Sequence, residues 1–211
     1  MRRELQPRVF DISRVIAIVN STDQGALFAE TVTGLGFRLL ALTGSQPLPG
    51  DVRGLLIADS GSQGWEVGAA QAVASVLRLD LPVLGNGTGM HFLNAALGGG
   101  MAVRVDGHAA NEGSVPTKNP IFLSPGGKVA HAIGGSGWVN ITCSHASGLR
   151  AMDVADGVLA SAYSRDGMIE AIERPGRQWV MGVQWALAGD TGLPSGFENV
   201  LGGFLERCAG E

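Results

Sequence analysis

Residues 82–99, Pro-Val-Leu-Gly-Asn-Gly-Thr-Gly-Met-His-Phe-Leu-Asn-Ala-Ala-Leu-Gly-Gly, pass from a short apolar strand through a glycine turn into a helix. A turn of this outline is a nucleophile elbow, which holds a reactive side chain at a strained strand-to-helix corner. In Gly85-Asn86-Gly87-Thr88-Gly89 the corner falls on Gly87, which has no side chain to react. The frame of a hydrolytic site is written into the chain without its attacking atom.

The surrounding sequence repeats the strand-helix alternation. Ser13–Asn20 is a β-branched run of the kind buried on both faces of a parallel sheet, and Ser21, Thr22 and Asp23 offer caps to a helix reaching about Gly34. Arg38–Thr43, Gly54–Asp59 and Pro82–Gly85 predict further strands. Gln63–Leu79 and Thr88–Leu97 predict helices, the first with Val67, Ala70, Gln71, Ala74 and Leu77 near one stripe. Such alternation implies a mostly parallel central sheet flanked by helices, in one α/β domain, flavodoxin-like in its first half. The second half changes character. Short strands are expected at Ile121–Ser124, Trp138–Thr142, Val158–Tyr163, Met168–Glu173 and Trp179–Trp185, with Asp166-Gly167 as a hairpin turn and a closing helix over Gly196–Cys208. The stretches 98–100 and 106–120 read as surface loops.

With 211 residues, 45% of them hydrophobic, the chain can bury one sizeable core. A net charge of −4 and the absence of a Lys/Arg run argue against nucleic acid or an anionic membrane as partner. Basic residues are nearly all Arg, with Lys only at 118 and 128, a bias that suggests a GC-rich bacterial genome. Two cysteines, Cys143 and Cys208, make no disulfide framework, and no Cys/His spacing matches a zinc site. No metal or cofactor is therefore expected. The first residues lack the apolar stretch of a signal peptide, and no run is long enough to span a membrane, so a soluble, cytoplasmic protein is expected.

Several segments together resemble the class I glutamine amidotransferase-like proteins, in the γ-glutamyl-γ-aminobutyrate hydrolase branch, peptidase family C26. Residues 82–99 are similar to the family's elbow, Pro-Val-Leu-Gly-Ile-Cys-Arg-Gly-Met-Gln continuing to Asn and Ala-Leu-Gly-Gly. Arg53–Ile57 looks like the strand leading to the oxyanion glycines. Val139-Asn140 and His145 fall where the family has Val-Asn-Ser, a variable residue, then His-His-Gln. Asp166–Glu173 resembles its Asp-Gly-Val-Ile-Glu-Ala-Ile-Glu strand, and Gly182-Val183-Gln184-Trp185 the approach to its His-Pro-Glu. By this resemblance the nucleophilic Cys position is Gly87. The base and its carboxylate partner fall on Ala186 and Ala188, the oxyanion glycines fall near Asp59-Ser60, and two motif residues become Cys143 and Ser144. Covalent amide hydrolysis needs a thiolate, a base and oxyanion donors. The resemblance thus implies a fold without the family's Cys-His-Glu chemistry.

Other polar residues could serve a different purpose. Asp59, His91, Cys143 and His145 are candidates for repurposed proton transfer or nucleophilic chemistry. Ser60, Asn86, Gly87, Thr88, Gly89, Gln184 and Trp185 are candidates for holding a ligand, with the helix start after Gly87 favouring an anion. Structural readings compete: Cys143 as an apolar filler, His91 as a pocket wall and Trp185 as packing; Glu66 and Asp59 read as a carboxylate pair or as a helix-start acid and a loop acid, and Asp190 as a substitute carboxylate on a loop of unreadable path. His108 and His131 are expected at the surface. The glycine turn also approximates a dinucleotide fingerprint, with Asp106 as ribose acid, but Met90 stands where its last glycine belongs. Three functions follow as expectations: a pseudoenzyme binding a small amino-acid-like ligand or a partner, a repurposed lyase, cyclase or isomerase in small-molecule biosynthesis, and a structural subunit of a synthase. A homo-oligomer or a partner enzyme is compatible with each.

Overall fold

The computed structural model describes residues 14–19, 23–42, 47–58, 66–108, 117–176, 179–189 and 192–210. Its first half alternates as the sequence predicts: β1 (Val15–Val19), α1 (Asp23–Gly34), β2 (Arg38–Ala41), β3 (Val52–Ile57), α2 (Glu66–Arg78), β4 (Val83–Asn86) and α3 (Thr88–Ala96). The second half comprises β5 (Val103–Arg104), β6 (Thr117–Leu123), α4 (Lys128–Ile133), β7 (Gly137–Cys143), β8 (Ser147–Arg150), β9 (Leu159–Ser164), β10 (Met168–Glu173), β11 (Val180–Val183) and α5 (Asn199–Ala209). The central sheet runs β2-β1-β3-β4-β11-β10-β9-β6-β7. It is mixed: the strands from β2 to β11 pair in parallel, and those from β11 to β7 pair antiparallel.

The parallel strands are buried along their whole lengths at β1, β4 and β11, as expected for strands covered on both faces. One core cluster gathers Phe28, Leu56, Leu84, Met181, Val183, Phe197 and Phe204; a second gathers Val15, Leu55, Val73, Val83 and Leu93. Asp166-Gly167 makes the expected hairpin, since β9 and β10 pair antiparallel around it. The sequence pattern gives no sign of β5, α4 or β8. They are short, and the bonds that define β5 and β8 come from distant partners. The stretch 106–120 is not simply a surface loop, because β6 begins at Thr117 and His108 is buried.

The elbow is built from close backbone packing. A Cβ on Gly89 would stand 2.0 Å from the carbonyl oxygen of Ile57, and one on Gly85 would stand 2.7 Å from that of Gly89. These two glycines let α3 start hard against the carboxyl ends of β3 and β4. The buried Asn86 side chain donates to the Trp185 carbonyl at 2.6 Å and accepts from the Leu187 amide at 3.4 Å. This ties the chain leaving β11 to the residue before the corner. Farther along α3, buried Asn94 donates to the carbonyls of Gly100 and Asp153 and accepts from the Ala155 amide. It anchors two loops at once.

Three outcomes are expected from this packing, each read by urea unfolding. Gly89→Ala destabilises the protein by about 3 kcal/mol, at the upper end of overpacking penalties. Gly202→Ala in α5, where a new Cβ meets nothing within 4 Å, stabilises it by about 0.5–1 kcal/mol through helix propensity. Asn86→Asp keeps the shape but turns a carboxylate oxygen toward the Trp185 carbonyl, and destabilises by at least about 1–3 kcal/mol without any ligand present.

Candidate functional site

Gly87 occupies the corner between β4 and α3 with φ 57° and ψ −123°. This backbone lies outside the ordinary left-handed well as well as the right-handed regions, so a side chain here is strained. The Gly87 amide donates to the Val183 carbonyl at 2.9 Å, and its own carbonyl accepts from Met90 at 3.0 Å. The corner is thereby fastened to β11 on one side and to the first turn of α3 on the other. Gly87, at the N-cap, has no side chain with which to cap α3.

The residues foreseen around this corner divide by role. His91, on α3, is buried, and its Nε2 lies 2.5 Å from Oε1 of buried Gln184. Ala186 is exposed and sits between Trp185 and Leu187, both held by Asn86; Ala188 is buried in the main core. Trp185 points into that core, edge-on to Phe197 with ring centroids 5.1 Å apart. Asn86 and Gly89 are engaged in the packing of the elbow, and Thr88 is half-buried at the helix start. Asp59, Ser60 and Asp190 lie outside the described residues, as do the capping candidates Ser21 and Thr22 and the side chain of Glu66. Asp106 is exposed beside Arg104 after β5, and β5 pairs with β8, not with β4; a ribose-binding acid of a dinucleotide fold has no counterpart there.

A second group of polar residues comes together where the antiparallel strands meet. β5 pairs antiparallel with β8, the pairing continues as Val105 donates to Ala146, and the His145 amide donates to the His108 carbonyl at 3.2 Å. This extension places the two imidazoles in contact, with His108 Nδ1 3.1 Å from His145 Nε2. β8 also pairs with β10, which brings in Glu170, whose Oε1 is 3.3 Å from His108 Nδ1 and 3.5 Å from His145 Nε2. Cys143, at the end of β7, completes a set of four ligating atoms all within 4.8 Å of one another. His108 is therefore not a surface residue, because the β5–β8 pairing draws it inward. His131 is exposed, on α4.

The electrostatics follow from burial and proximity. The Glu170 carboxylate beside His108 raises its pKa above the usual histidine value, and Asp166 adds to the effect, against the opposing pull of burial. Burial pushes the Glu170 carboxyl up, but the two histidines outweigh it and hold the pKa below the usual range. Burial, reinforced by the Glu170 charge, pushes the Cys143 thiol up to about 12. A thiol so protonated is no nucleophile in this state. Sequence reasoning misses Glu170 and Asp166 as site residues. The signal for Glu170 is an acid flanked by apolar residues inside β10; Asp166 is legible only as a turn residue.

Gln184 and Glu170 connect the two groups. The Gln184 amide donates to the Glu170 carbonyl at 2.8 Å across β10 and β11. A Cβ on Gly182 would meet Met90 of α3 and Ile172, and the Gln184 side chain meets His91 of α3, so residues 172, 182 and 184 share the face turned toward α3. A separate groove of about 880 Å³ between α4 and α5, lined by Lys128, His131, Trp179 and Arg207, contains none of these residues.

Comparison with known proteins gives this geometry a context. Residues 65–186 match the sequence profile of the peptidase C26 family. A Mycobacterium tuberculosis protein named as a glutamine amidotransferase is 34% identical over 131 residues, covering 59% of this chain and 40% of that protein. The chain thus matches well under half the length of this relative. A Thermoplasma acidophilum protein named for a GMP synthase superposes with TM-score 0.67 at 15% identity, covering 93% of this chain and 94% of its own. The glutaminase domain of Trypanosoma brucei CTPS gives the same TM-score, identity and coverages. A glutamine amidotransferase from Methylobacillus flagellatus gives 0.65 at 17% identity, covering 85% of this chain and 72% of its own. These structures speak to the fold. With its elbow, its mixed sheet and a profile match over more than half its length, the chain belongs to the peptidase C26 family, among the glutamine amidotransferase-like proteins.

Proposed function

We propose that this chain is a non-hydrolysing member of its family, which binds a small amino-acid-like or anionic ligand, or a partner protein, at the elbow. The observation that carries the reading is Gly87: the corner keeps a strained backbone, with φ 57° and ψ −123°, and has no side chain to attack a carbonyl. Ala186 and Ala188, where the family resemblance puts the base and its carboxylate, support it, because neither can move a proton. The buried thiol of Cys143 is no substitute nucleophile, since its pKa is pushed up to about 12. Losing the nucleophile or base of such a triad costs about 10⁶-fold in rate. The start of α3 favours a carboxylate or other anion through its dipole.

A second reading, proton-transfer chemistry at a repurposed site, draws on one observation. His91 is a buried imidazole close to the corner, oriented by Gln184 at 2.5 Å. It would show as conversion of a small molecule that is lost in His91→Ala and kept in Asn199→Ala.

The purified chain is expected to release no glutamate or ammonia above buffer from glutamine or γ-glutamyl amides. Gly87→Cys restores none, while costing about 1–3 kcal/mol of stability from the strained corner. Glutamate or a γ-glutamyl amide at saturating concentration raises the melting temperature of the wild type, a ligand at 100 times its Kd adding about 2.7 kcal/mol. Family-like turnover by the wild type, abolished by a substitution at the elbow, would sink the non-hydrolysing reading.

A further inference from the structure

We infer that His108, His145, Glu170 and Cys143 form a binding site for one divalent metal ion of the zinc class. This inference concerns a site separate from the elbow and does not depend on the function proposed above. Three Lewis-basic atoms, His108 Nδ1, His145 Nε2 and Glu170 Oε1, form a triangle with edges of 3.1, 3.3 and 3.5 Å. Tetrahedral ligands about 2.0–2.1 Å from a zinc ion stand about 3.3 Å apart. The triangle therefore matches one face of such a coordination shell. Cys143 Sγ, within 4.8 Å of all three, supplies the fourth corner.

The outer contacts fix which nitrogen of each ring faces inward. His145 Nδ1 lies 3.0 Å from the Ser147 carbonyl, which can only accept, so Nδ1 carries the hydrogen and Nε2 the lone pair. His108 Nε2 lies 2.9 Å from Asp166 Oδ2, so in the neutral ring that ligates a metal its Nδ1 carries the lone pair. Asp166 is in turn held by the Ser164 hydroxyl. Carboxylate or carbonyl groups behind histidines are the usual second layer of a metal centre, where they orient the rings and strengthen them as ligands.

An independent observation points to the same cation. Glu170 is fully buried, and neither of its oxygens has a hydrogen-bond partner. Both imidazoles approach Oε1 at ion-pair distance. A single proton lies along one line among the three atoms and leaves the other contacts unsatisfied. A divalent ion satisfies all three together and converts the neighbouring buried thiol into a thiolate ligand. Nitrogen, oxygen and sulfur donors in a four-ligand set suit zinc better than magnesium or calcium, which take oxygen shells. Four protein ligands leave no open position, so the ion ties the end of β7, the turn before β8 and the middle of β10 to the loop after β5 and has no substrate position.

The test uses the full chain, stripped with a chelator, dialysed and titrated with Zn²⁺ or Co²⁺ alone. The wild type takes up one ion per chain, and Co²⁺ gives tetrahedral visible bands with a near-ultraviolet thiolate charge-transfer band that Cys143→Ser removes. Glu170→Gln and His145→Ala weaken Zn²⁺ binding by more than about 100-fold, and Asp166→Asn by about 10–100-fold. His131→Ala, on the exposed face of α4, leaves it unchanged. Because Asp166 is half exposed, its variant carries the test if the buried substitutions fail to fold. Sub-stoichiometric uptake by the wild type, no charge-transfer band, or wild-type affinity in Asp166→Asn overturns the inference.

Discussion

The second half of this chain is organised around a carboxylate that water cannot reach. An unpaired ion in a protein interior costs several kcal/mol even after relaxation. Glu170 lies in the middle of a central strand, with no hydrogen bond to either oxygen. Groups that can share a proton or a cation with it must therefore be brought up, and two short strands bring them. β5 has only Val103 and Arg104, and β8 only Ser147–Arg150, lengths that would be marginal alone. Their pairing places His108 and His145 against the buried acid. The other acids of β10 and its turn have tasks nearby: Asp166 orients His108, and Glu173 accepts from the Lys128 and Val129 amides to cap α4.

The elbow rests on a different constraint, the approach of backbone to backbone. Gly85 and Gly89 allow α3 to begin in contact with the ends of two strands, and Asn86 binds the chain beyond β11 to the same point. None of these contacts involves a reactive atom. A corner held in this way keeps its shape whatever side chain it carries, and glycine is the residue for which φ 57° is least costly. Under the non-hydrolysing reading, the chain gives up chemistry at this point without giving up the fold, since the groups that catalyse and the groups that pack are different atoms.

The first half is legible in the sequence because its signals are local. Buried parallel strands are apolar runs, helices carry their own periodicity, and the elbow is a contiguous stretch of β4 and α3. The Asp-Gly hairpin is legible for the same reason. The histidine cluster is not, because its members are far apart in sequence and only the β5–β8 and β8–β10 pairings bring them together. No window around His108 shows a strand, and its neighbours Asp106 and Gly107 read as a surface turn. The short spacing of Cys143 and His145 is visible, and so is a strand that would carry them toward one place. Its interpretation needs Glu170, which local reading treats as one more residue of a short strand. Trp185 shows the reverse error of scale: beside a missing motif it looks like a ligand-stacking ring, but the core cluster takes it.

The two polar groups share one piece of backbone, and this gives the molecule a mechanical connection. The amide of Gln184, the residue after β11, donates to the Glu170 carbonyl of β10. Gln184 holds His91, one turn into the helix that starts at the corner, and Gly87 itself hangs from the Val183 carbonyl. Any ion that fixes Glu170 stiffens the strand on which the wall of the elbow is mounted. Parallel and antiparallel halves of the sheet meet at this same pair of strands. The cluster among the antiparallel strands is thus joined to the elbow by ordinary ladder hydrogen bonds.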